Sequence, residues 1–193
     1  MLSRRHLLLA AGATGAAALT GRSGPLRAEA VLTEDGLYTQ PWFLQSFLEL
    51  ADDLQGAAAK SKRFAILWEL KGCPYCKETH LVNFADPVIE AYVRDNFDIL
   101  QLNLIGSRPV TDFDGQAVPE KAVAQKYNVR FTPTVQFFPE SADGLAAKAP
   151  ETREVARIPG YLKPEHFLAM FRYVRDKAYE RVSFRDYLKG ERS

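Results

Sequence analysis

Cysteine is the scarcest informative residue in this chain of 193 residues: there are two, Cys73 and Cys76, beside three histidines, two methionines and two tryptophans. One cysteine pair three positions apart excludes a scaffold held by several disulfides, and leaves thiols that are redox-active, metal-binding or incidental. Charge of one sign is also missing. Lys plus Arg number 25 against 24 Asp plus Glu, so no bulk field attracts nucleic acid or an anionic membrane. The longest apolar run, Leu7 to Leu19, has 13 residues, short of the ~20 that cross a bilayer as a helix. With 47% hydrophobic and 25% charged residues, the composition excludes disorder and fibrous repeats and fits one soluble domain. Two scattered histidines beyond residue 30 supply no zinc quartet.

That apolar run follows Ser3-Arg4-Arg5-His6 and precedes Pro25 and the small-x-small triplet Ala28-Glu29-Ala30. The layout is that of a secretory signal peptide over residues 1–30, with cleavage near Ala30, and the paired arginines also resemble a twin-arginine signal. An uncleaved anchor is the alternative. Removing residues 1–30 takes four arginines and one glutamate, leaving 163 residues of net charge −2. The expected mature protein is an exported, nearly neutral single domain, 31–193.

Along that domain, helical and extended patterns alternate. From Pro41, Phe43, Phe47, Leu50 and Leu54, flanked by Leu44, Leu48 and Ala51, recur at the spacing of one apolar helix face. Residues 64–70 form an apolar run that predicts a central strand ending at Gly72, and Cys73-Pro74 opens a helix running to Ala85. A helix over Val88–Asp95, a strand over Phe97–Leu104 and a turn-rich surface loop over 106–115 follow. Pro119–Asn128 reads as helix, Thr134–Phe138 as strand, Thr152–Ile158 as an antiparallel partner strand, and Pro164 opens a last helix with Phe167, Phe171, Val174 and Ala178 at helical spacing. The tail from Arg181 to Ser193 carries Phe184, Tyr187 and Leu188, which can dock it. This order predicts an α/β domain, a mixed β-sheet with helices on both faces.

The chemistry concentrates in Gly72-Cys73-Pro74-Tyr75-Cys76-Lys77. Two intervening residues let the thiols meet across the first turn of a helix, so dithiol and disulfide interconvert with little movement. A helix N-terminus favours the thiolate of Cys73, which makes it the nucleophile; Cys76, one turn inside, resolves the mixed disulfide. Trp68, on the strand before them, is expected to report on the dithiol by fluorescence.

An apolar strand ending in Cys-Pro-Tyr-Cys, followed about 55 residues later by Val129-Arg130-Phe131-Thr132-Pro133-Thr134 and another apolar strand, resembles the thioredoxin superfamily over about residues 60–178. The resemblance implies a thioredoxin fold, here with an N-terminal helix and a C-terminal helical tail. It implies that Pro133 is cis and lies against the dithiol, and that Thr132, Pro133, Pro74 and Tyr75 contribute to substrate binding and dithiol packing. More narrowly, the export signal, Cys-Pro-Tyr-Cys-Lys-x-x-His, the Asp114-Gly115 loop and the Gly160-Tyr161 turn resemble periplasmic thioredoxin-like proteins of the SoxW type.

The departures matter too. Gly72 stands where thioredoxins have Trp, Pro74-Tyr75 replaces Gly-Pro, and Leu67 occupies the place of their buried acid. Glu69, two residues on along the same strand face, is then a candidate proton carrier for Cys76, or a plain strand-end carboxylate. Lys77 and His80 are candidates for tuning the thiols, or simply a solvated lysine and a packing or surface histidine. Glutaredoxins share Cys-Pro-Tyr-Cys, but the segments around Pro133 and Pro159-Gly160 lack their glutathione-binding pattern.

The expected function is therefore an exported, periplasmic thiol–disulfide oxidoreductase without organic cofactor or resident metal, working through a redox-active Cys73–Cys76 disulfide. The SoxW resemblance implies a reductant fed by a membrane electron donor, and the chain is expected to act as a monomer. Its partners would be cysteine-containing exported proteins, among them those of sulfur oxidation or cytochrome maturation. The alternative is a periplasmic copper chaperone holding Cu(I) with Cys73, Cys76 and His80.

Overall fold

Five consecutive apolar residues, Phe64 to Trp68, flanked by Arg63 and Glu69, make the centre of the molecule. In the computed structural model, which describes residues 29–190, this run and its two flanks form strand β3 (Arg63–Glu69), buried along its whole length. Two short strands, β1 (Val31–Leu32) and β2 (Tyr38–Thr39), form a hairpin ahead of helix α1 (Leu50–Ala59). After β3 come α2 (Pro74–Glu78), which runs on into a π-helical turn over Thr79–Asn83, and α3 (Pro87–Asn96). Strand β4 (Phe97–Asn103), a hairpin of β5 (Pro109–Thr111) and β6 (Ala117–Pro119), and α4 (Glu120–Lys126) follow. Strands β7 (Thr134–Phe137) and β8 (Ala156–Pro159) and helices α5 (Pro164–Arg175) and α6 (Phe184–Gly190) complete the described chain.

The main sheet has the order β4-β3-β7-β8. Strand β3 pairs parallel with β4 and antiparallel with β7, which pairs antiparallel with β8. Alternation along β3 sends Ala65 and Leu67 to one face, where α3 and α5 contribute Ile89, Val93, Phe167 and Phe171. Ile66 and Trp68 go to the other, against Leu50, Leu54 and Ala57 of α1 and Val123 and Ala124 of α4. The mixed sheet with helices on both faces is the predicted thioredoxin fold.

Several local expectations change. The helix expected from Pro41 begins only at Leu50. Leu48 has a positive φ of 66°, which no helix interior accepts, and Leu44 N–H donates to the Ile99 carbonyl at the edge of β4. Phe43 is buried, while Phe47 is 97% exposed. The segment is thus a strap along the sheet edge whose apolar spacing imitates a helix. The loop over 106–115 contains half of the β5–β6 hairpin, closed by a turn that Gly115 completes at φ 77°. The strand expected from Thr152 starts at Ala156, because residues 150–152 form a 3-10 turn. That turn leads into Arg153, whose buried guanidinium bonds to Asp112 and Asp114.

The tail docks as the aromatic spacing allowed. Tyr173 on α5 meets Phe184 and Tyr187 edge-on at ring distances of 5.4 and 5.3 Å, and its hydroxyl donates to the Val182 carbonyl. No helix among the described residues is long and apolar enough to cross a membrane. The signal-peptide segment, apart from Glu29 and Ala30, lies outside the described residues, as do the last three residues of the tail.

Candidate functional site: a dithiol at the start of a helix

Strand β3 delivers the chain to a reversal at Leu70–Gly72, where Gly72 takes φ 77°, a conformation that costs a side-chain-bearing residue energy. Cys73 then caps α2, with Pro74 at the first helical position, where a missing N–H leaves no bond unmade. The Cys73 sulfur accepts from the Cys76 N–H at 3.1 Å. Cys73 and Cys76 are joined as a disulfide with their Cα atoms 5.3 Å apart. Cys73 is partly exposed and Cys76 is buried, so a partner reaches the first sulfur and not the second.

Opposite the disulfide lies the Thr132–Pro133 peptide, which is cis as the resemblance implied. The Thr132 carbonyl oxygen is 3.5 Å from the Cys73 sulfur, and the Pro133 carbonyl accepts from Gly160 N–H. Sequence positions 73, 132 and 160 thereby meet at one end of the sheet, beside its two central strands. Tyr75 is 56% exposed and stacks on Tyr161, with ring centroids 5.6 Å apart and an interplanar angle of 18°. The Tyr161 hydroxyl donates to Asn83 Oδ1, while Asn83 Nδ2 donates to the Leu162 carbonyl. Burial, followed by the negative charge of Glu78, pushes the Tyr161 phenol above its ordinary value. Phe131, 64% exposed, adds a second aromatic surface to the loop holding Pro133.

Beneath this surface is a polar cluster in an apolar surround. Glu69 and His80 are both fully buried, and His80 Nε2 lies 3.0 Å from each oxygen of the Glu69 carboxyl. Gln101 on β4 donates its amide to the same carboxyl and to the Tyr38 carbonyl of the hairpin. On the far side of the imidazole, Gln40 Nε2 donates to His80 Nδ1 at 3.2 Å and to the His80 carbonyl at 3.4 Å. A carbonyl oxygen only accepts, so the amide nitrogen is the end that faces His80. Nδ1 therefore accepts, and Nε2 carries the hydrogen that Glu69 receives.

Of the residues anticipated around the dithiol, Glu69 and His80 come together, four residues before Cys73 and four after Cys76. Glu69 does end its strand and His80 is packed, against Phe43 and Phe84, as the plainer readings had it, but neither lies at the surface. Lys77 is exposed and lines a cavity beside the cysteines rather than joining the buried cluster. The copper alternative finds no assembled ligand set: both His80 ring nitrogens are already bonded. Among the described residues no group of three or more His, Cys, Asp or Glu is arranged around a common point. Gln40, Gln101 and Tyr161 are site residues that sequence reasoning missed. Trp68, fully buried, projects to the sheet face opposite Glu69 and donates to Gln136.

A strand, a reversal, a cysteine pair across the first helical turn and a facing cis-proline define a thiol–disulfide site on a thioredoxin fold. The comparisons agree. Residues 50–175 match the family model described as thioredoxin-like domain, and the chain belongs to that family. A thioredoxin-fold protein from Helicobacter pylori superposes with a TM-score of 0.55 at 19% identity, over 67% of this chain and 83% of the other. A thioredoxin from Thermus thermophilus gives 0.48 at 22% identity, over 65% and 83%. The oxidised C-terminal domain of DsbD from Neisseria meningitidis gives 0.43 at 15%, over 67% and 97%. The first of these likenesses, at 19% identity, bears on the fold alone. No curated protein matches the sequence significantly. Fold, family and the bonded cysteine pair together support a thiol–disulfide oxidoreductase.

Proposed function

We propose that the protein is an exported, periplasmic reductant of protein disulfides, of the SoxW type, using Cys73 as nucleophile and Cys76 as resolving thiol. The observation that carries the reading is the asymmetry of the pair: Cys73 is accessible at the helix start, and Cys76 is buried one turn inside. In the dithiol form the Cys73 thiolate attacks one sulfur of a substrate disulfide. That S–S bond breaks, a Cys73–substrate disulfide forms, and the first substrate thiolate leaves and takes a proton. Cys76 then attacks the Cys73 sulfur, releasing the second substrate thiol and closing the Cys73–Cys76 disulfide. Two electrons have passed to the substrate, and a membrane electron donor must return them.

Pro74, Tyr75, Thr132 and Pro133 form the surface over which an extended substrate strand passes. The buried Glu69–His80 pair serves Cys76, whose sulfur must lose a proton before its attack. Export rests on the layout of residues 1–30, and the reducing direction on the SoxW resemblance; cysteine-containing exported proteins of sulfur oxidation or cytochrome maturation are the partners it suggests. The protein acts as a monomer without an organic cofactor.

The test is the reduction potential of the Cys73–Cys76 pair, obtained by equilibration with a thiol buffer and quenched alkylation. A value near −270 mV, that of thioredoxin, is expected for a reductant. One near −120 to −180 mV would place the protein among oxidants and isomerases and overturn the reducing direction. Insulin reduction tests the chemistry itself: Cys73→Ser abolishes it, while Cys76→Ser accumulates mixed disulfides.

A further inference from the structure

Beside the dithiol, on the flank away from Thr132 and Pro133, the β1–β2 hairpin and the Leu70–Pro74 reversal enclose a groove of about 470 Å³. We propose that this groove is a specificity subsite for the peptide substrate, taking an apolar side chain that is followed by a carboxylate. The inference rests on the thiol–disulfide exchange reading and adds to it the chemistry of the preferred substrate.

Three observations carry it. First, the walls are apolar. Leu32, Leu37, Tyr38, Leu70 and Pro74 line the groove, with the partly exposed Cys73 and the buried Cys76 also in its lining. Its volume lies in the range of sites that hold one or two bulky side chains rather than solvent alone. Leu32, on the rim, is 59% exposed, so an apolar group entering there removes surface from water.

Second, the groove has one sign of charge at its surface. Lys71 and Lys77 both line it, and neither makes an ion pair among the described residues. Glu69, the acid in the lining, is fully buried and already bonded to His80 and Gln101. An incoming carboxylate therefore meets two ammonium groups without an ion-pair partner and no exposed acid among the lining residues, although Glu34, Asp35 and Glu78 stand exposed on the flanking segments.

Third, the stem of Lys71 packs on the hairpin. Gly36 turns the β1–β2 hairpin at φ 76°, and a Cβ there would stand 3.0 Å from both Cδ and Cε of Lys71. The lysine stem thus lies along the bare backbone of the hairpin at Gly36 and forms part of the groove's lining. A small anionic thiol would find few fixed polar partners here. A peptide crossing the Cys73 sulfur instead places residues on both flanks, the Thr132 side and the hairpin side.

The test uses the reduced full-length chain and three cysteinyl peptides, each as its disulfide-linked dimer, carrying Phe-Glu, Phe-Lys or Gly-Glu after the cysteine. The rate of protein oxidation is followed by quenched alkylation, with hydroxyethyl disulfide as the neutral reference oxidant. The Phe-Glu peptide is expected to react at least tenfold faster than Phe-Lys, and the advantage to shrink in 0.5 M salt. Lys71→Glu is expected to bring the Phe-Glu to Phe-Lys ratio to one or below, and Leu32→Ser to reduce the Phe-Glu to Gly-Glu ratio about threefold. Because each result is a ratio within one variant, a change in intrinsic thiol reactivity cancels. Equal rates for Phe-Glu and Phe-Lys in the unaltered chain, or ratios unmoved by both substitutions, overturn the subsite and leave exchange standing. If neither the peptides nor hydroxyethyl disulfide oxidise the protein, the exchange reading fails first.

Discussion

His80 Nε2 lies within hydrogen-bond distance of both oxygens of the Glu69 carboxyl, and neither side chain is exposed to solvent. Glu69 ends the strand that leads to the dithiol, and His80 sits in the wide π-helical turn that continues the dithiol's helix. The Phe84 N–H bonds back five residues to the Thr79 carbonyl in that turn. Such turns insert one residue into a helix and re-aim its neighbours, and they recur at functional positions.

The pair has a structural and a chemical consequence that two substitutions separate. His80→Ala leaves the Glu69 carboxyl buried with Gln101 as its remaining side-chain donor, and stability should fall by about 3 kcal/mol or more in urea unfolding. Glu69→Gln keeps an acceptor for His80 Nε2 and most of the packing, so its stability cost should be smaller. Its effect should appear instead in the second step of exchange. Single-turnover kinetics should show Cys73 attacking a disulfide at nearly the original rate, with release of the mixed disulfide by Cys76 slowed about tenfold or more. Equal slowing of both steps, or of neither, would refute a proton-handling role for Glu69.

Why the dithiol, Glu69 and His80 were readable and the glutamines bonded to the pair were not follows from distance along the chain. Cys73 and Cys76 sit within one helical turn, so local residue types sufficed for them, whereas the cis Pro133 that faces them was implied only by the resemblance to the thioredoxin superfamily. Glu69 was reached by stepping two residues along a strand from a missing acid. Gln40 touches His80 across 40 residues and Gln101 reaches Glu69 across 32, and no periodicity in either segment announces those contacts. The strap before α1 misled for a related reason. Phe43 and Leu50 are both buried and seven residues apart, as a helix would require. Ser46, however, accepts from Leu48 N–H and donates to Asp53, which closes a turn where the helix was expected.

Acid sensitivity should come from a second cluster, remote from the dithiol, that ties the β5–β6 turn to α4 and the 150–153 turn. Arg153 donates to Asp112 at 2.7 Å and to Asp114 at 3.1 Å, Lys126 reaches both carboxylates, and the Tyr127 hydroxyl donates to Asp112 at 2.6 Å. Burial pushes Asp114 upward, but the hydrogen bonds from Lys126 and Arg153 outweigh it and hold the carboxyl down at about 2. A carboxyl lowered from its ordinary 3.8 contributes stability that is complete above that value and is lost as pH falls toward 2. Urea midpoints should therefore decline between about pH 4 and pH 2, and Asp114→Asn should remove part of that decline. Arg153→Met should cost about 3 kcal/mol at neutral pH, since it strips a donor from the fully buried Asp112. A flat profile in Asp114→Asn and in the unaltered chain alike would remove Asp114 from the account.

Arg63 offers the contrast, because a buried cation is worth only what its partners lose with it. Its side chain is 1% exposed, its Nη2 donates to the Tyr179 hydroxyl at 2.8 Å, and its guanidinium lies 5.8 Å from the centre of the Tyr179 ring. Nη1 approaches Glu140 at 2.6 Å without hydrogen-bond alignment, and Nε has no acceptor. Two buried nitrogens are thus desolvated with incomplete return. Glu140 is half exposed and keeps Lys177 as a partner when Arg63 is removed. Arg63→Met, of similar length and apolar, should therefore change stability by less than about 1 kcal/mol in either direction, although the residue is as buried as Arg153. Urea unfolding of Arg63→Met and Arg153→Met side by side decides the point. Equal losses would mean that burial of the arginine, rather than burial of the carboxylate it leaves behind, sets the cost.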